Sequence, residues 1–255
     1  LNRPVQGMLD ELVNLSRELG REDRHLAILG EGNTSAREPG SPRFMVKASG
    51  ASLATLGPGD LTTCELTPVL SLLDQKHLSD AQVGEALMAA RSEPKQRRPS
   101  IETVFHAWLL TLDGVGFVGH THPLAVNQIL CSPRARDFSE RRQFPDEVVV
   151  CGAASVFVPY SDPGLPLARE IRDRTRAFMD KHGHAPRIIL LQNHGLIALG
   201  GSPASVLAAT LMATKAAAIF MGAAALGGPT FLTPPHVDRI AGRADEAYRQ
   251  QQLKL

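Results

Sequence analysis

The sequence is poor in the features that mark a special class of protein. It holds three cysteines, Cys64, Cys131 and Cys151, an odd and widely spaced set. That excludes a disulfide framework and a paired-cysteine metal knuckle, and leaves buried free thiols in a reducing compartment. Net charge is almost missing: 27 Lys and Arg oppose 26 Asp and Glu, a formal +1. So even a balance offers no bulk attraction to nucleic acid or to an anionic membrane, and neither partner is expected. One short basic run, Lys95-Gln96-Arg97-Arg98, reads as a solvated loop or as a device that steers an anionic substrate. No stretch reaches ~18 uninterrupted apolar residues, the length of a membrane span. The longest candidate, residues 204–226, is alanine-rich, is broken by Thr210, Thr214 and Lys215, and reads as a buried core helix. The first residues carry charge early and lack a signal-peptide pattern, so the cytoplasm is the expected location. Repeats, low-complexity tracts and a linker-like middle are lacking too. Residues 1–255 are therefore expected to form one domain, long enough to bury its own core, with the tail from about 236 mobile or packed on a neighbour.

What is present is a mixture of helical and strand periodicity. Val5, Met8, Leu9, Leu12, Val13 and Leu19 tend to one face and predict a helix over 4–20. The apolar run 25–29 predicts a strand entering a tight turn at Gly30-Glu31-Gly32-Asn33-Thr34-Ser35. Further strands are expected at 44–47, 61–66, 116–122, 148–150, 156–158, 187–191 and 196–199. Helices are expected near 67–74 and 81–91, from Ser100 as N-cap to about 112, from Pro123 to about 130, over 164–182 and 203–226, and from 236 to about 251. The strands do not alternate regularly with helices as a doubly wound parallel sheet requires. The reading is therefore an α/β protein of three layers around a mainly antiparallel central sheet.

The chemistry concentrates in histidines. In His120-Thr121-His122 the two imidazoles are one strand period apart and point to the same side, a spacing that suits two ligands of one ion and also ordinary strand histidines. His194 stands in the polar turn Gln192-Asn193-His194-Gly195 directly after an apolar strand, a place typical of site residues. Three histidines and an open position are a common catalytic zinc arrangement. Glu102, at the start of a helix, is a further ligand or a base. His106 shares its helical face and reads mainly as a packing or supporting residue. His182-Gly183-His184 repeats the spacing but follows a helix and contains glycine, so it reads as a surface turn. Gly32-Asn33-Thr34-Ser35, Ser49-Gly50 and Ser100 supply small hydroxyls and turn amides fit to cradle an anion.

Gly32-Asn33-Thr34-Ser35, Ser49-Gly50, Pro99-Ser100-Ile101-Glu102, His120-Thr121-His122-Pro123, Val158-Pro159-Tyr160 and Gln192-Asn193-His194-Gly195, in this order, resemble the class II aldolase/adducin family over about residues 8–225. The resemblance implies a homotetramer with a zinc site near the subunit interface; manganese, cobalt and iron are alternatives. It implies that His120, His122 and His194 are ligands, that Glu102 is the catalytic glutamate and contacts the metal, and that Asn33, Ser49, Gly50 and Ser100 bind phosphate. It also implies that Tyr160 donates a proton in a neighbour's site. The activity implied is cleavage of a phosphorylated ketose into dihydroxyacetone phosphate and an aldehyde through a metal-stabilised enediolate. Decarboxylation of a 3-oxo sugar-acid phosphate is the alternative, followed by sugar-phosphate 4-epimerisation and a non-catalytic adducin-like module. The epimerase branch carries aspartate where Glu102 stands, and the adducin head lacks the histidines. Two departures bear on the phosphate. Ile101 replaces a serine of the fuculose-phosphate enzymes, and Lys47 precedes Ala48-Ser49-Gly50, where it either supplies a positive charge or faces solvent. Tyr248 is the candidate for a catalytic tyrosine in the tail.

Overall fold

The structure, a computed structural model, describes residues 3–245 and Tyr248. Seven strands, β1 (Asn33–Arg37), β2 (Arg43–Lys47), β3 (Leu61–Glu65), β4 (Phe117–Thr121), β5 (Val156–Val158), β6 (Ile188–Leu191) and β7 (Gly195–Gly200), join in the order β3-β2-β1-β4-β7-β6-β5. Every neighbouring pair is antiparallel except β5 with β6. Ten helices accompany them among the described residues: α1 (Arg3–Leu19), α2 (Leu66–Ser71), α3 (Asp80–Ala89), α4 (Thr103–Leu109), α5 (Leu124–Leu130), α6 (Ala135–Glu140), α7 (Pro145–Cys151), α8 (Leu165–His182), α9 (Pro203–Ala225) and α10 (Pro234–Ala241).

Side-chain alternation along the strands divides the interior into two cores. Ala36, Phe117, Leu196 and Ala198 pack with Leu12 and Leu19 of α1, Val126 of α5 and Val206 of α9. Phe44, Val118, Ile197 and Leu199 face the other way, onto Phe105 of α4, Val69 of α2 and Ile171 of α8. The sheet therefore lies between two helical layers, as the mixed periodicity implies. β4 holds the middle of the sheet, and its Gly119 admits α1 and α9: a Cβ there would come within 2.8 Å of Val206 and 3.0 Å of Leu19.

Four expectations need correction. The run 25–29 is no strand. His25 and Leu29 take positive φ, 52° and 51°, only Leu26 of the run is fully buried, and Ile28 and Leu29 are 65% and 84% exposed. The strand starts instead at Asn33, inside the stretch read as a turn, because β1 pairs there with β4. Residues 148–150 are helical: Pro145 at the first turn, acidic Asp146 and Glu147 beside it and Gly152 at φ 85° give start and stop signals that override the β-branched preference of three valines. Those valines pack on Ile240 of α10 and against Ala208 and Met212 of α9. Ser100 does not cap α4. Its hydroxyl accepts from the Glu102 N–H at 3.2 Å in a turn, and the helix proper begins at Thr103. α9 buries one face, through Val206, Ala209, Ala213, Ala217 and Phe220, while Leu211 and Ile219 lie on its exposed side. It is long and apolar enough to cross a membrane by length and composition, and here it packs on β7, β4, α1, α5 and α7. α6 has no counterpart in the sequence reading. Of the helix expected over 236–251, the structure shows α10 to Ala241 and, after a break at 242–243, helical conformation again at 244, 245 and 248; 246, 247 and 249–251 lie outside the described residues.

One buried ionic group ties α6 to α7. Arg142 donates to the Gly152 carbonyl at 2.8 Å and to Ser155 Oγ at 2.8 Å, and lies 3.9 Å from the buried Glu147 carboxylate. Burial pushes the Glu147 carboxyl up, against the attraction of Arg142. Arg142→Leu removes the cation beside that carboxylate and the donor to four oxygens, those of Gly152, Ser155, Ser139 and Arg141, and is expected to lower stability by roughly 3–5 kcal/mol. Urea unfolding checks this; a loss below about 1 kcal/mol would show that the pair contributes only its net balance, as paired buried charges often do.

Candidate metal centre

The sheet register builds the site. β4 carries His120 in its interior, opposite Asn33 of β1 on one side and Ile197 of β7 on the other, and His120 is fully buried. Asn33, Ser35, Val118 and His120 face α4, as strand alternation requires. His122 follows just past the end of β4 on the same side. His194 sits in the β6–β7 turn. Asn193 before it takes φ 56°, a left-handed conformation that asparagine tolerates, and the Asn127 side chain of α5 donates to the His194 carbonyl at 2.9 Å. Gly195 lets the turn close on β4: a Cβ there would lie 2.6 Å from the Thr121 carbonyl and 2.7 Å from the His122 ring.

The three imidazoles meet with ring centroids 4.9 to 5.1 Å apart, and one ring nitrogen from each lies within 4.8 Å of the others. His120 Nε2 and His122 Nε2 are 3.1 Å apart. The Leu196 carbonyl, 3.0 Å from His120 Nδ1, can only accept. That assigns the proton to Nδ1 and leaves the Nε2 lone pair in the cluster. Glu102 closes the fourth side, with Oε1 3.4 Å from His194 Nε2 and 3.7 Å from His120 Nε2. Its Oε2 accepts a short hydrogen bond from Asn33 Nδ2.

Burial dominates the electrostatics. It pushes His120 down to about 4, and His122 down to about 4 with help from the other two imidazoles. Burial alone would raise the Glu102 carboxyl, but the charges of His120 and His194 and a hydrogen bond with His194 outweigh it and hold the group at about 2. At neutral pH the corner therefore presents His120 and His122 unprotonated and Glu102 as a carboxylate. Two imidazole nitrogens at 3.1 Å must share a proton or face a cation, and three such donors beside a carboxylate fit a divalent ion held at about 2 Å from each.

The other expected site residues separate. Asn33 joins the cluster. Thr34 does not: it points to the opposite face of β1, where its hydroxyl lies 2.6 Å from Ser16 Oγ of α1. Ser49 and Gly50 are exposed on the loop after β2, and this loop is brought to Ser100 by the bridge between Ala48 and Pro99 and by the Ser49 N–H to the Arg98 carbonyl at 2.9 Å. Lys47 does not face solvent. It is 1% exposed and donates to the Ala51 carbonyl at 2.6 Å and the Gly30 carbonyl at 3.2 Å, and burial pushes its pKa down. Tyr160 stands apart, 58% exposed, with its phenol donating to Asp162 at 3.0 Å. Tyr248 is exposed as well. His106 is fully buried, stacked on Phe105 and 2.7 Å from Ser35 Oγ, a supporting position as its spacing suggested. Gly183 caps α8 at φ 74°, which makes His182-Gly183-His184 a turn at a helix end. Two residues escaped the sequence reading: Asn127, whose signal was only a polar residue on an apolar helix, and Glu31, a carboxylate between two glycines next to Asn33. A cleft of about 460 Å³ lined by Asp113, Arg187 and Ser205 opens at the opposite ends of β4 and β7 and contains none of these groups.

Comparison with known proteins bears on the family and the fold. The family model described as Class II Aldolase and Adducin N-terminal domain matches residues 10–221. The uncharacterized oxidoreductase YuxG of Bacillus subtilis is 29% identical over 199 residues, 75% of this chain and 26% of that protein, so the chain spans about a quarter of the length of this curated relative. The N-terminal class II aldolase domain of a conserved protein from Thermoplasma acidophilum superposes with TM-score 0.67 at 26% identity, over 84% of this chain and 93% of that one. An L-fuculose 1-phosphate aldolase superposes with TM-score 0.67 over 95% of this chain and 96% of its own, at 16% identity, a likeness of fold alone.

The depressed imidazoles carry a pH signature. His106, like His120 and His122, is pushed by burial to about 4. As pH falls through the ordinary histidine value of about 6.5, the unfolded chain takes up protons that the folded chain refuses. The stability these groups contribute to metal-free protein is therefore complete above that value and is lost as pH falls toward 4. Urea midpoints of chelator-treated protein are expected to drop between about pH 7.5 and pH 5. Midpoints that stay level or rise on acidification would contradict the buried, neutral assignment.

Proposed function

The chain belongs to the class II aldolase and adducin family, and we propose that it is a metal-dependent lyase that splits a phosphorylated ketose into dihydroxyacetone phosphate and an aldehyde. The observation that carries the reading is the convergence of His120, His122 and His194 on one point, with an ionised Glu102 tied to Asn33 beside it. His120, His122 and His194 would hold the ion, and zinc is the metal that three imidazoles with an open position suit best. Such an ion supplies a fixed positive charge toward the negative charge that develops on substrate oxygens as a carbon–carbon bond breaks.

The chain's own residues supply the rest. Asn33 occupies Oε2 of Glu102, so Oε1, the oxygen that faces the imidazoles, would take the proton released by the substrate hydroxyl as the carbon–carbon bond breaks and return it to the carbon left electron-rich. Ser49, Gly50 and Ser100 would cradle the phosphate on one rim, which Arg97 braces by donating to the Ser49 carbonyl at 3.4 Å while paired with Asp60. Lys47 acts from behind the rim, joining its loop to the Gly30 turn. The exposed Tyr160 suits a proton donor that serves a neighbouring subunit in a homotetramer.

Elemental analysis of purified protein is expected to give about one zinc per chain, lost in His122→Ala. Glu102→Gln is expected to lower turnover of ketose 1-phosphates about 10²- to 10⁴-fold, the usual worth of a positioned acid or base. Release of CO2 from 3-oxo acid phosphates, without aldehyde from ketose phosphates, would replace cleavage by decarboxylation at the same residues. Absence of metal even after reconstitution would sink both.

A further inference from the structure

We infer that Glu31 is a positioning residue of the metal centre, acting through the outward-facing nitrogen of His122; the inference rests on the metal-binding reading above. The rings are held from behind in different ways. His120 is locked by the Leu196 carbonyl on Nδ1 and by complete burial. His194 is fixed through its backbone by Asn127. His122 is also held through its backbone, by its N–H on the Leu26 carbonyl at 2.8 Å, but among the described residues no backbone carbonyl locks its ring nitrogen as Leu196 locks His120. The His122 side chain is 22% exposed, the most of the three, and its Nδ1 faces a carboxylate oxygen, Glu31 Oε1, at 3.8 Å. That is ion-pair distance, within one small side-chain rotation of a hydrogen bond.

Glu31 is placed by a closed turn. Its N–H donates to the Ile28 carbonyl at 3.0 Å, and the Ile28 N–H donates back to Glu31 Oε2 at 3.0 Å. One carboxylate oxygen is thus spent on the turn, and the other remains for His122. The turn is fastened to the end of β4. The His122 N–H donates to the Leu26 carbonyl at 2.8 Å, and Lys47 holds the Gly30 carbonyl. Gly32, at φ 69°, sits so close that a Cβ would lie 2.5 Å from the His120 carbonyl. Turn and imidazoles therefore keep a common frame. A carboxylate behind an imidazole keeps the ring proton on Nδ1, aims the Nε2 lone pair into the cluster and strengthens it as a ligand. Glu31 is further from the chemistry than Glu102 and touches no reacting group, so its effect passes entirely through His122.

The test uses Glu31→Ala, Glu31→Gln and His122→Ala, each stripped and titrated with zinc against a chromophoric chelator. Glu31→Ala is expected to weaken zinc binding about 10- to 100-fold, the usual effect of losing an outer partner of a metal-bound histidine. Glu31→Gln, which keeps an acceptor oxygen, is expected to recover most of it. Long-range ¹H–¹⁵N spectra of the metal-free parent are expected to show the His122 proton on Nδ1, and a mixture of tautomers in Glu31→Ala. Unchanged zinc affinity and tautomer in both Glu31 variants, with zinc binding lost in His122→Ala, would overturn the role of Glu31 and leave the metal centre standing. A parent that takes up no zinc would overturn both. If Glu31→Ala fails to fold, the alternatives are read from Glu31→Gln, in which affinity equal to the parent with the proton moved to Nε2 would refute the role.

Discussion

Three imidazoles and a carboxylate share one largely buried corner, and the sheet and its turns hold them there. Burial alone would neutralise Glu102, yet the group stays ionised because His120, His194 and Asn33 face it. Burial in turn pushes His120 and His122 down, against the pull of the Glu102 charge. Each half of the arrangement supports the other: the carboxylate would be costly without polar partners, and the lone pairs would be lost to protons in open solvent.

Holding such groups in place needs a rigid frame, and β4 supplies it. As the middle strand it is hydrogen-bonded on both edges, to β1 and β7, so Asn33 and His120 are set by the same register. Close approach replaces side-chain bulk where the elements meet. Gly32 and Gly195 stand where a Cβ would strike the backbone of β4, at 2.5 and 2.6 Å. Two loops that contribute polar groups are joined by the buried Lys47 ammonium, which donates to carbonyls of both. Two of its donors serve the architecture, which explains a lysine that does not reach solvent.

Much of the histidine corner could be read in the sequence because its logic is local. A strand period aims His120 and His122 together, and a polar turn after an apolar strand singles out His194. Glu102 and Asn33 were legible as residue types at turn and helix starts. The helices at α1, α8 and α9 were legible for the same reason, since 3.6-residue periodicity repeats within one segment. Residues 148–150 failed because three valines favour a strand in isolation, while Pro145, the acidic first turn and Gly152 favour a helix. Residues 25–29 failed because an apolar run without alternation cannot report that only Leu26 of it is fully buried.

What the sequence determined by itself was the donor set and the class of architecture: three histidines, a glutamate and an asparagine at spacings that two regular backbones convert into direction. Only the tertiary structure decided which neighbours share that direction. Thr34 and Asn33 are adjacent, yet pairing with β4 sends one to Ser16 and the other to Glu102. Lys47 and Glu31 owe their roles to loops that meet from distant parts of the chain. Such contacts depend on how layers pack, and packing joins residues whose separation along the chain carries no period to read.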